Sequence, residues 1–177
     1  LASHLSLALI ILSFIFWFIL ENYEVTKFEI KINNKFLTSF LILIVIQVIL
    51  GAFLAGLNGG LLYNSWPDMN GNFLPDDVVK KDFFDFGSFD NPSVIQFYHR
   101  LTAYILIIFL FFLNYVFLKQ KNKSKSIILF NLAILFQIIL GVMTLITGVK
   151  IYYASLHQLG SILVLISFLF IYYKNTS

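Results

Sequence analysis

Five long apolar runs constrain this chain of 177 residues more than any other feature of its sequence. They are Leu5–Leu20, Phe36–Leu57, Leu101–Leu118, Ile127–Val149 and Ile151–Tyr173. A helix needs about 20 residues to cross the hydrocarbon core of a bilayer, so each run spans it or nearly so. Hydrophobic residues make up 59% of the chain and charged residues only 12%, which excludes an ordinary soluble domain. The sequence therefore predicts an all-α integral membrane protein with five transmembrane helices.

The lysines predict the orientation of these helices, because short loops rich in Lys or Arg remain on the cytoplasmic side of a membrane. Eight of the eleven lysines lie in three segments, namely Lys27, Lys31 and Lys35, then Lys119, Lys121, Lys123 and Lys125, and finally Lys174. A five-helix topology puts all three segments on the inner side and leaves the aspartate-rich connection of residues 58–92 outside. The net charge of +3 therefore reflects topology, and no clustered basic face indicates a nucleic-acid partner.

The start of the chain and its composition indicate how it is organised. It begins with Leu, and its first run has neither a basic leader nor a cleavage site, so we expect a piece whose preceding helices are missing. Residues 1–20 are then the last helix of an N-terminal half, residues 21–36 a cytoplasmic loop, and residues 37–177 a four-helix domain. Cysteine is absent, which excludes disulfides and thiolate metal sites.

A short motif is repeated within the chain. The pattern Gln-x-x-Leu-Gly at residues 47–51 in the second run recurs at residues 137–141 in the fourth. Each copy precedes a run that has a histidine near its start, His99 or His157. We therefore expect two helical hairpins of the same kind in parallel orientation, with the first run, which carries His4, left over from an earlier unit.

All three histidines lie near the outer ends of their runs, at similar depths when a helical rise of about 1.5 Å per residue is applied. A haem iron with two axial imidazoles requires both at nearly the same height. We therefore predict that His99 and His157 are the iron ligands of a buried haem, and His4 meets the same demand of depth. The alternative is that each histidine only hydrogen-bonds a neighbouring helix, as polar residues in membrane bundles do.

Three polar residues near these histidines are further candidates for cofactor binding. Arg100 adjoins His99 and is expected to pair with a haem propionate, or else to extend its charge to the membrane interface. Gln47 and Gln137 lie within apolar helices and need partners, which are either groups across the bundle or the haem-ligating histidines themselves. The structural role is favoured for both glutamines.

The outer connection of residues 58–92 is too long for a simple turn, and long loops of this kind are usually functional or disordered. Four phenylalanines, interleaved with aspartates, follow its middle: Phe83, Phe84, Phe86 and Phe89. They predict an interfacial segment first and a substrate lid second.

The ordered motifs of the chain resemble those of a known family. They are Gln47-x-x-Leu50-Gly51-Ala52, Ala55-Gly56-Leu57, Tyr63-Asn64-x-Trp66-Pro67-x-Met69-x-Gly71, Gln96-Phe97-x-His99-Arg100-Leu101-x-Ala103-Tyr104, Gln137-x-x-Leu140-Gly141 and Leu156-His157-Gln158-x-Gly160. Over nearly its whole length the chain resembles the C-terminal half of haem A synthases of the proteobacterial and mitochondrial kind. Asp68, where the family pattern has an apolar residue, is a mild departure.

This resemblance implies a pseudo-symmetric eight-helix enzyme that oxidises the C8 methyl of haem O to the formyl of haem A. His99 and His157 would hold an electron-transferring haem b in the last four helices. His4 would ligate the substrate haem O and is the catalytic candidate of this chain. Since the first three helices and the family's catalytic glutamate are missing, we expect the chain alone to be inactive.

The resemblance also implies partners and a location. Expected partners are membrane lipid, haem O synthase, a quinone or other electron donor, and a second copy of the chain in a homo-oligomer. The location is the bacterial inner membrane, or the mitochondrial inner membrane in a eukaryote.

Other functions remain open on the residues alone. One is a b-type cytochrome subunit for electron transfer in a larger complex. A transporter or proton relay is another, but it predicts carboxylates within the helices, and the runs contain none. A purely structural membrane subunit would leave the matched depth of the histidines unexplained.

Overall fold

The computed structural model describes residues 2–29, 32–119 and 124–176, so Lys31, Lys121 and Lys123 of the orientation argument lie outside the described residues. These described residues form five α-helices: α1 (Ala2–Asn22), α2 (Asn34–Gly56), α3 (Pro92–Lys119), α4 (Lys125–Ile146) and α5 (Ile151–Asn175). All five are long and apolar enough to cross a membrane. The predicted all-helical membrane fold with five spans is confirmed.

Helix α3 begins at Pro92, well before Leu101, where the apolar run that predicted this helix begins. Proline is favourable in the first turn of a helix, because the N–H that proline lacks would have no acceptor within the helix at this position. Asn91 lies just before the helix, and its side-chain oxygen accepts a hydrogen bond of 2.9 Å from the backbone N–H of Ser93. His99 therefore lies inside a helix, with two regular turns before it.

The helices pack as two hairpins. Helix α2 packs against α3, and α4 packs against α5, while α5 also contacts α2 and joins the two pairs. Helix α1 lies against α5 and α2. The half of the bundle that carries the long connection between α2 and α3 is called the outer half below, and the opposite half is called the inner half.

The main hydrophobic core contributed by α2 to α5 lies in the inner half. At its centre are the fully buried rings of Phe40, Phe130 and Phe168, one each from α2, α4 and α5. Their ring centroids are 4.7 to 5.6 Å apart, in the tilted and edge-on arrangements that aromatic pairs favour. The buried residues around them on these four helices are Leu37, Ile44, Leu113, Phe117, Ile127, Ile134, Val164, Leu165, Leu169 and Ile171. This cluster fastens the four helices together at one end.

The sequence repeat is also a repeat of packing. Phe40 and Phe130 each lie two helical turns before the repeated glutamine, and both rings are completely buried. The buried Ile44 and Ile134 follow them one turn later. Helices α2 and α4 therefore present equivalent faces to the interior.

Asparagine side chains tie the inner half together. Asn114 of α3 and Asn131 of α4 exchange two hydrogen bonds of 2.9 and 2.7 Å. Near the end of α5, Asn175 accepts a bond of 2.7 Å from the backbone N–H of Ile32 and donates one of 3.0 Å to its carbonyl. Such bonds satisfy amides that would be costly to leave unpaired in lipid. They hold the inner ends of the helices in register.

Candidate functional site

The imidazole of His99 lies against the backbone of helix α2. Its Nε2 is 3.3 Å from Nε2 of Gln47. One turn further along α2, a Cβ atom added to Gly51 would be only 3.1 Å from Cε1 of the ring. The absence of a side chain at Gly51 therefore lets the ring approach the neighbouring helix.

The imidazole of His157 is placed in the same way against helix α4. A Cβ atom added to Gly141 would lie 2.9 Å from Cε1 of the ring, which is closer than real contacts allow. The side chain of Gln137 donates a hydrogen bond of 2.9 Å to the backbone carbonyl of His157. The repeated Gln-x-x-Leu-Gly motif thus builds one half of the site on each hairpin.

Both histidines lie in the outer half of the bundle. His99 is near the outer end of α3 and His157 near the outer end of α5, at closely similar distances from the inner ends of these helices. His4 is exposed on α1 and is not part of this pair. The structure therefore places each of two predicted histidines beside one of the predicted glutamines.

Buried polar atoms without a hydrogen-bond partner cluster around this pair. Among the described residues, these atoms are Gln47 Oε1, Gln96 Oε1, His99 Nδ1, Arg100 Nε, Gln137 Oε1 and His157 Nδ1. All of them belong to the outer half of α2 to α5. Orphaned buried polar atoms are rare in native proteins, and each requires an explanation such as a water, an ion or a ligand. A buried ring nitrogen without a partner on each histidine fits a metal that takes two imidazoles.

Arg100 fastens the outer connection to helix α3. Its terminal nitrogens donate hydrogen bonds of 2.6 Å to the carbonyl of Asp68 and 2.9 Å to the carbonyl of Tyr63. The same Tyr63 carbonyl accepts a bond of 2.9 Å from Gln96. Both donors flank His99 on the helix, so the connection closes over the outer side of the histidine. The two terminal nitrogens expected to bind a propionate are thus held by loop carbonyls in this structure.

A second set of bonds holds the same connection through carboxylates. The hydroxyl of Tyr63 lies 2.6 Å from Oδ1 of Asp76 and 2.7 Å from Oδ1 of Asp77. Ser93 donates a bond of 2.7 Å to the other oxygen of Asp77. Burial alone would raise the pKa of Asp77, but the hydrogen bonds from Ser93 and Tyr63 lower it below its ordinary value. Burial, followed by the bonds to both carboxylates, raises the pKa of Tyr63.

The aromatic residues of the connection divide between packing and exposure. Phe83 packs on helix α3, with its ring centroid 5.1 Å from that of Phe97, and its carbonyl accepts a hydrogen bond from the Tyr98 hydroxyl. Phe89 is 42% exposed. The side chains of Phe84 and Phe86 lie outside the described part of the structure. The interfacial interpretation therefore does not extend to Phe83, which anchors the loop.

The fold and the site define a class of protein: a helical membrane protein in which two repeated hairpins present paired histidines to a shared interior. A profile of the cytochrome oxidase assembly protein family matches residues 1–169. The chain belongs to this family.

Curated relatives support this assignment over the whole chain. The chain is 58% identical over 177 residues to the haem A synthase of Pelagibacter ubique, covering 100% of this chain and 53% of the relative. It is 38% identical over 172 residues to that of Rickettsia bellii, covering 93% of this chain and 51% of the relative. For Wolbachia pipientis the identity is 39% over 167 residues, with coverage of 91% and 46%. The chain thus spans about half the length of these relatives. No solved structure matches it.

Proposed function

We propose that this chain is the haem b-binding half of a haem A synthase, with His99 and His157 as the two axial ligands of one haem b. One observation carries the proposal. Each imidazole packs against a repeated glycine, Gly51 or Gly141, and each has a buried Nδ1 without a partner among the described residues. The relatives' names, which specify haem A synthesis, support the choice of haem over another metal group.

The chemistry follows from this ligand set. His99 and His157 would hold the haem, which would supply one-electron transfer when bound. The surrounding residues of the chain would bind this haem, orient it and insulate it. The glycines let the imidazoles approach α2 and α4. The inner-half phenylalanine core fixes the helices on one side, and the connection held by Arg100 covers the bundle on the other.

The activity of the whole enzyme is a second part of the proposal. The relatives are about twice as long as this chain, so the oxidation of haem O to haem A would need further segments. His4 is exposed on the same face of α1 as Leu7 and Ile11. This exposed face supports the proposal that another segment of the protein packs here and that the substrate haem binds between the two. Haem O synthase and a quinone or other electron donor are the proposed partners, and the bacterial inner membrane is the proposed location.

Haem analysis in cells tests this proposal. The complete reading frame and residues 1–177 alone would each be expressed in a bacterium that makes haem O but has lost its own haem A synthase. We expect haem A from the complete frame, none from the complete frame carrying His4→Ala, and none from residues 1–177 alone. If the complete frame yields no haem A while its haem b is bound, the protein is instead a b-type electron-transfer subunit.

The glycines beside the histidines provide a further prediction. In Gly141→Ala the new methyl would lie 2.9 Å from the His157 ring, so the ring must move away from its place. Overpacking of this kind typically costs about 1–3 kcal/mol, which corresponds to a haem affinity roughly 5- to 150-fold weaker if it falls on the bound state. Titration of the purified protein with haem measures the change. Gly56→Ala is the matched control, because its Cβ would meet nothing within 4 Å. Equal affinities for both variants would contradict this account.

A further inference from the structure

The two repeated glutamines do different things, although the sequence around them is the same. Gln47 approaches the ring of its histidine, with 3.3 Å between the amide nitrogen and Nε2 of His99. Gln137 instead donates its bond of 2.9 Å to the backbone carbonyl of His157. The pseudo-symmetry of the site is therefore broken at the contact between glutamine and histidine.

A single difference between the two histidine helices accounts for this asymmetry. Gly160 lies one turn after His157, and a Cβ atom there would be 2.1 Å from Oε1 of Gln137. The glutamine side chain can lie along α5 only because this position has no side chain. The equivalent position, one turn after His99, is Thr102, which is buried and bonds the carbonyl of the preceding turn. A threonine at that position denies Gln47 the same path, and the amide turns toward the imidazole.

We infer that Gln47 is a positioning residue for the ligand His99 and sets its electron-donating strength, whereas Gln137 only holds helix α5. This inference rests on the proposed function, because it assumes that His99 binds a haem iron. An imidazole that gives one nitrogen to a metal carries its proton on the other, and that N–H needs an acceptor. Gln47 has a buried amide oxygen without a partner among the described atoms. A half-turn of its amide, which exchanges oxygen and nitrogen, supplies this acceptor.

The consequence is a difference between the two axial ligands. An acceptor on the N–H of a ligating imidazole raises the basicity of the ligand, which stabilises ferric over ferrous iron and lowers the reduction potential. His99 would be the stronger donor because of Gln47. His157 receives the amide of Gln137 at its backbone carbonyl, where a hydrogen bond does not change the ring.

Redox titration of the haem-loaded protein tests the inference. The complete reading frame is expressed in cells that cannot make haem O, so that haem b is the haem present, and the haem content is measured before the titration. The variant Gln47→Leu puts an apolar side chain in place of the amide and removes the acceptor, and we expect its midpoint potential to shift upward. The matched control Gln137→Leu occupies the equivalent place in the repeat, and we expect no shift. Gln47→Glu retains an acceptor, and its potential should be equal to or below that of the unsubstituted protein.

The outcomes separate this inference from the proposed function. If the unsubstituted protein binds no haem, the proposed function fails and the inference fails with it. If haem is bound but Gln47→Leu and Gln137→Leu shift the potential equally, or neither shifts it, the inference alone is overturned. Should Gln47→Leu lose its haem, Gln47→Glu decides, since a raised potential in that variant contradicts a role as acceptor.

Discussion

Replacing His99 or His157 by alanine is expected to remove nearly all haem b from the purified protein. Loss of a partner that merely supports a metal ligand typically lowers metal affinity by about 10–100-fold, and loss of the ligand itself should lower it by more than roughly 100-fold. The reduced-minus-oxidised visible spectrum and the haem content per protein measure the effect. Both variants should lose the signal, because a haem held between two helices needs a ligand from each.

The fold should survive these substitutions, which makes the result interpretable. The main core lies in the inner half, where Phe40, Phe130 and Phe168 pack without contribution from either histidine. The variants should therefore keep their helical circular dichroism and elute as the parent does. His4→Ala is the matched control and should retain the haem b signal. A full signal in either His99→Ala or His157→Ala would show that the histidine is structural.

Phe168→Ala is expected to be the most destabilising substitution in the core. The ring is completely buried, with centroids 4.7 Å from Phe40 and 5.2 Å from Phe130. Phe→Ala in a soluble core costs about 3–5 kcal/mol, and we expect about 3 kcal/mol here, because lipid tails already keep an unpacked ring out of water. Most of the lost free energy of unfolding therefore comes from the van der Waals contacts of the ring, because a cavity takes its place.

Reversible unfolding in mixed detergent micelles measures this free energy. Phe111→Ala is the control, since Phe111 is 71% exposed on α3 and its ring contributes little to the packed interior. We expect a change within about 0.5 kcal/mol for this variant. Similar losses for Phe111→Ala and Phe168→Ala would mean that the inner half does not hold the bundle together.

The helices could be predicted from the sequence because the bilayer sets their length and composition. Hydropathy alone did not predict the start of α3, since its first turns contain the polar residues Ser93 and Gln96. Both are buried by contacts with residues far earlier in the chain, for example the bond from Gln96 to the Tyr63 carbonyl. A local signal did exist in Asn91 and Pro92, a capping residue followed by a first-turn proline.

Part of the candidate site could also be predicted from the sequence, because the sequence repeat is visible without a structure. The repeat of Gln-x-x-Leu-Gly indicated two equivalent hairpins, and the structure places each glycine against a histidine ring. The hydrogen bonds that Arg100 donates could not be predicted, because the acceptors are the backbone carbonyls of residues 63 and 68. Only the folded connection brings these carbonyls near the side chain. The sequence did contain a signal for the different hydrogen-bond partners of the two glutamines, but it was missed. Gly160 in α5 occupies the position that Thr102 occupies in α3.

The central claim is that the imidazoles of His99 and His157 ligate one haem iron. The most direct measurement is the electron paramagnetic resonance spectrum of the oxidised, purified protein, together with typing of its extracted haem and a carbon monoxide test on the reduced form. The account predicts haem b with a low-spin ferric signal of two imidazole ligands and no carbon monoxide binding. A folded protein without haem, or a high-spin haem that binds carbon monoxide, would contradict it.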